Sequence, residues 1–195
     1  MDAMAHSQLP PTPDFGAIET EALKHADRQT MILALIGNLV FSWSNNESMF
    51  IYVLMILLDS DEATAAIVFA TLNTTRARID LIQRLASVKV TDLETARSLA
   101  ALIRQFNSCT RQRNEFNHCM YALNERGEIT HLQSMRIEEG RGRIRFGSTR
   151  KLDDAAIQQM VELIERMKTL NRDIWAFLPR LQASITGPKA EASKA

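Results

Sequence analysis

The chain has 195 residues, 46% hydrophobic and 24% charged, which is enough for one well-buried core and too short to require two domains. Lysine plus arginine balances aspartate plus glutamate at 23 each, which excludes a whole-molecule field drawing the protein to nucleic acid or membrane. Any anion site has to be local, and most of the basic residues are arginines, the side chain suited to bidentate phosphate contact.

The opening MDAMAHSQLPPTPDFG is polar and proline-bearing without an apolar core segment, so residues 1–26 read as a flexible leader and not as a signal peptide. A first helix is expected from about Asp27 to Leu58, interrupted near Ser44 to Asn46, with Leu39, Trp43, Glu47, Phe50, Leu54 and Leu57 on its inward seam. Its runs TMILALIGNLVFSW and SMFIYVLMILL are each shorter than the roughly 20 residues that a bilayer needs. A core helix, no membrane partner and a cytoplasmic location are therefore expected.

Ser60 or Asp61 can cap a second helix spanning about Glu62 to Val88, where Ala65, Phe69, Ile79 and Ile82 approximate the helical period. TDLE, residues 91–94, matches a capping box, so a third helix should start there and run to about Asn124, stopped by Gly127. Cys109 and Cys119 would lie about 15 Å apart along its axis, beyond the reach of a disulfide, which suggests a reduced, intracellular setting. The period then changes. ITHLQSMRI and RIRFGS flank the glycine-bearing EEGRG and read as a β-hairpin over about residues 128–148. Arg143 and Arg145 lie on it among Arg136, Arg141, Arg150 and Lys151, either as a solvated face or as an RNA-backbone contact. Asp153 and Asp154 open a last helix to about Leu181, with Ile157, Met160, Ile164, Met167 and Ile174 on one side, and residues 183–195 read as a disordered tail. The fold class is all-α: a four-helix up-and-down bundle over residues 27–182 with an inserted β-hairpin before the last helix.

The third helix carries the chemistry. Its apolar seam runs Leu99, Ile103, Phe106, Cys109, Arg113, Phe116, Met120 and Leu123, which puts an arginine at a core position. At about 100° per residue, Asn117, Tyr121, Asn114 and His118 fan out along one flank of that seam, and Arg111 lies on the face of His118. An unpaired buried guanidinium is costly, so Arg113 must meet an acid, a cleft or a ligand, and Glu47 is the best acid because it too points inward. The four histidines, at 6, 25, 118 and 131, are scattered, and the chain has no HExxH, paired CxxC, Walker or GxGxxG sequence. No metal ligands and no cofactor are therefore expected.

RNEFNH, Arg113 to His118, is similar to the R-x4-6-H signature of HEPN domains, in which a polar residue, often asparagine, directly follows the arginine as Asn114 does here. The resemblance covers about residues 27–181. It implies a metal-independent endoribonuclease, a toxin or defence effector, in which His118 moves protons, Arg113 stabilises the phosphate and Asn114 orients either one. Arg111, Asn117, Tyr121, Glu47, Arg143 and Arg145 would support the site or bind RNA. The partners implied are RNA, a second copy in a homodimer that brings two motifs together, and an antitoxin or regulatory protein. The alternative is a non-catalytic helical dimerisation or nucleotide-binding module in which Arg113 is only structural.

Overall fold

A computed structural model of the protein describes residues 28–123, 129–135, 137–140 and 143–186, with the backbone alone for 137–140, 143–146 and 186. The expected leader, the Asp27 helix start and the last nine residues of the expected tail lie outside these. Five helices are present among the described residues: α1 (Arg28–Leu58), α2 (Glu62–Thr71), α3 (Thr75–Lys89), α4 (Leu93–Asn117) and α5 (Asp154–Thr186). Between α4 and α5 come β1 (Cys119–Leu123), β2 (Ile129–Ser134), β3 (Ile137–Gly140), β4 (Arg143–Phe146) and β5 (Thr149–Lys151). The protein is mostly helical, and no helix among the described residues is long and apolar enough to cross a membrane. The described residues form two compact units, 45–106 with 170–186 and 28–44 with those between 107 and 169.

In the first unit, the continuous second helix expected over Glu62–Val88 is two helices. The cluster Asn73-Thr74-Thr75 is the reason: the hydroxyl of Thr74 accepts from the N–H of Ala77 at 3.1 Å and starts α3 as an N-cap. Arg78 ties the break together, donating from Nε to the carbonyls of Phe69 (3.1 Å) and Leu72 (3.0 Å) with its guanidinium 4.4 Å from the centre of the Phe69 ring. The interruption expected in α1 near Ser44–Asn46 is absent. Asn46 is buried at 1% exposure, and its side-chain oxygen accepts from Asn171, so the polar residue finds a partner without leaving the helix. The cap of α4 is Asp92 and not Thr91: its carboxylate accepts from both the N–H and the hydroxyl of Thr95, at 2.8 and 2.6 Å.

In the second unit, α4 ends at Asn117, seven residues before the expected Asn124, and the chain turns into β1. Met120 and Leu123, expected on the helical core seam, stand on that strand at 50% and 61% exposure. Cys119 is likewise on a strand, and both cysteines are free thiols. The hairpin around EEGRG is present as β3 paired antiparallel with β4, but Ile129–Ser134 belongs to another sheet, of order β1-β2-β5. Gly147 makes the passage from β4 to β5: its φ is +63°, and a Cβ there would lie 1.8 Å from the carbonyl oxygen of Ser134. The core of this unit joins Leu35 and Leu39 of α1 and Phe116 of α4 to Leu132 of β2 and to Met160 and Leu163 of α5.

Candidate functional site

The motif residues gather at the last turns of α4. Trp43, on α1, donates from its indole N–H to the hydroxyl of Thr110 at 2.9 Å, which fixes the plane of the ring. Arg113, one turn after Thr110, lays its guanidinium over that ring at 3.7 Å from the centroid, a cation–π contact worth about 1 kcal/mol at a half-buried position. Its Nη1 donates to the side-chain oxygen of Asn114 at 2.8 Å. The backbone carbonyl of Asn114 in turn accepts the N–H of His118 at 3.0 Å. Asn114 therefore touches both other members of the motif, by side chain and by main chain. Arg113 is half-buried, as a seam position requires, while His118 stands exposed one residue past the helix end.

The end of α4 is made by side chains of the following strand. The carbonyl of Phe116, one of the last-turn acceptors without a helical partner, receives the Tyr121 hydroxyl at 2.8 Å and the Cys119 thiol at 2.9 Å. Tyr121, Leu132 and Arg150 stand side by side across β1, β2 and β5. The guanidinium of Arg150 lies 4.8 Å from the centre of the Phe116 ring and donates to Gln159 at 3.3 Å. Burial pushes the Tyr121 phenol well above its usual range, reinforced by the adjacent thiol. Burial also raises the Cys119 thiol, with the Tyr121 hydrogen bond and the positive charge of Arg150 pulling the other way. Both groups donate to the same carbonyl, so this corner closes the helix.

Tyr121 consequently leaves the polar strip, of which Asn114 and Asn117 stand on α4 and His118 one residue past its end. The side-chain oxygen of Asn117 is buried and accepts no hydrogen bond among the described residues. Arg111 is exposed on α4. Glu47, the acid expected for Arg113, pairs instead with Arg78 at 3.0 Å and accepts the Thr75 hydroxyl at 2.5 Å, both within the first unit. Arg143 and Arg145 stand opposite Gly140 and Glu138 on the β3–β4 hairpin, and their side chains lie outside the described part. Sequence reasoning missed two partners, Trp43 as the platform under Arg113 and Arg150 against Phe116. Trp43 had a signal, since it sits on the α1 seam as Arg113 sits on that of α4, and an aromatic face is a standing alternative to a carboxylate for a buried guanidinium. No family model, no curated protein and no solved structure matches this chain.

Proposed function

We propose that the protein is a metal-independent endoribonuclease of HEPN type, its helical core the up-and-down bundle of that class and its site formed by Arg113, Asn114 and His118. The observation that carries this reading is the linkage of the three residues through Asn114, which holds the guanidinium on one side and the backbone of the histidine on the other. In the reaction the RNA 2′-oxygen attacks phosphorus and the 5′-oxygen leaves, giving a 2′,3′-cyclic phosphate and a free 5′-hydroxyl. A histidine takes the proton from the 2′-hydroxyl, and a second one protonates the leaving oxygen. Arg113 stabilises the charge that develops on the phosphoryl oxygens. One chain supplies one such histidine, so two copies pairing about a two-fold axis complete the site. The protein acts in the cytoplasm as a toxin or defence effector, held in check by an antitoxin or another regulatory protein.

The test is incubation of the purified protein with total RNA in EDTA. Cleavage with cyclic-phosphate ends is expected from the wild type, and its loss in His118→Ala and Arg113→Ala with folding retained. Intact RNA with the wild type would refute the reading. A second reading, a non-catalytic dimerisation or nucleotide-binding module, is favoured by the contact of Arg113 with Trp43, since that contact gives the arginine a structural task. Under it, Arg113→Met lowers the melting temperature, the wild type leaves RNA intact, and His118→Ala changes neither.

A further inference from the structure

We infer that β1 is a docking edge, on which an extended segment of another protein adds as a further strand of the β1-β2-β5 sheet. β1 is an outer strand of that sheet, and no strand among the described residues pairs with its far side. The phase of its hydrogen bonds is fixed by the N–H of Met135, which bonds the carbonyl of His118 at 3.3 Å. Antiparallel pairs alternate between bonded and non-bonded, so Met120 and Ala122 turn their main-chain groups to Gln133 and His131 of β2, while those of Cys119 and Tyr121 point away from it. Their N–H and C=O groups thus face outward at a two-residue repeat. A chain in extended conformation carries the matching groups at that repeat, whereas a helix has already bonded its own.

The chemistry of the edge selects an uncharged strand. Exposed sheet edges are ordinarily guarded by charged side chains, proline or short length. The opposite edge has such a guard, since β5 has three residues and ends on the exposed Lys151. β1 has none: over its whole length, Cys119–Leu123, it carries neither a charge nor a proline. Its exposed side chains include Met120 at 50% and Leu123 at 61%, with Met135 at 47% where the chain leaves β2. Thioether side chains adapt to varied apolar neighbours, and a charged side chain laid against them would lose water without gaining a partner. The occupant therefore presents apolar or β-branched residues on this face. The register shifts between Ala122 and Leu123, which limits the regular edge to Cys119–Ala122 and makes the association weak and reversible. His118 stands exposed immediately before β1, so the added strand lies beside the motif. The inference does not depend on RNA cleavage.

Amide hydrogen exchange of the full chain, read by NMR with and without a short peptide alternating threonine and valine, tests it. In the free protein the amides of Met120 and Ala122 should be protected, and those of Cys119 and Tyr121 should exchange freely. The peptide should slow exchange at Cys119 and Tyr121 by about tenfold or more in a saturable manner, and the same peptide methylated on every backbone nitrogen should leave it unchanged. Met120→Lys and Ala122→Lys, each with an unchanged circular dichroism spectrum, should weaken binding of the peptide by about tenfold. Protection of both outward amides in the free chain at every concentration would show that a segment of the same chain holds the edge, and protection that grows with protein concentration alone would show that a second copy does. Either result, equal slowing by the methylated peptide, or no slowing with peptide up to about 1 mM would overturn the inference.

Discussion

Among the described residues, two hold backbone conformations of the left-handed kind, and they make opposite predictions. Asp59 has φ +51° at the end of α1, where its N–H bonds the Ile56 carbonyl at 3.2 Å and that of Ser60 bonds Met55 at 3.1 Å. This is the glycine-favouring helix stop. Asp59→Gly removes the strain of a side chain at positive φ and should raise stability by about 0.5–1 kcal/mol, less the entropy that glycine adds to the unfolded chain. Gly147 has the same sign of φ but a backbone oxygen where the side chain would go, so Gly147→Ala should cost about 2 kcal/mol or more. Urea denaturation of the two variants beside the wild type checks both signs. Glu47 shows how far a single residue was legible. Its seam spacing correctly turned it inward, but Arg78 and Arg113 were both arginines within the same sequence, and only the packing of α3 against α1 in the first unit selected Arg78.

At the scale of elements, α2 and α4, which both start in the first unit, are held at their starts by carboxylates. Asp61 accepts the N–H of Thr64 at 2.7 Å and caps α2, and Asp92 caps α4. The backbone hydrogen bond from Thr64 holds the Asp61 carboxyl below its usual range, and the hydroxyl and N–H of Thr95 do the same for Asp92. Both folded values are depressed, so the contribution is present above the unfolded value of 3.8 and is lost as pH falls through the folded one. The melting temperature should therefore drop as the solution is taken below about pH 4, and Asp61→Asn with Asp92→Asn together should flatten that drop. Calorimetry across the acid range measures it. An acid limb of unchanged steepness in the double variant would exclude the caps as its cause.

For the whole molecule, the division into two units meets the fact that α1, α4 and α5 each contribute residues to both. A helix propagates cooperatively, so loss of one unit frays the helices on which the other depends. A single unfolding transition is expected, with far-UV circular dichroism and tryptophan fluorescence coinciding. Met160→Ala in the second unit and Phe106→Ala in the first, both at 0% exposure, should each lower that one transition by about 2–5 kcal/mol. Two separated transitions, each moved by only one of the substitutions, would show instead that the units fold independently.

What the sequence determined by itself was set by short-range physics. The 3.6-residue period located α1, α4 and α5 and turned Leu39, Phe50, Ile103, Met160 and Ile174 inward, because burial follows directly from which side chains share a helical face. Turn chemistry located the EEGRG hairpin, and the seam position of Arg113 required its partial burial. The end of α4 was decided by tertiary structure. Phe116, Met120 and Leu123 keep helical spacing, yet the chain leaves the helix after Asn117, because β1 pairs with β2 while Cys119 and Tyr121 turn their donors onto the Phe116 carbonyl. Pairing with partners six to fifteen residues further along the chain leaves no mark in the local period. The same limit hid the partner of Arg113. A seam arginine states that something must meet its charge, and only the fold, by bringing Trp43 against the last turns of α4, decided that an indole face does so.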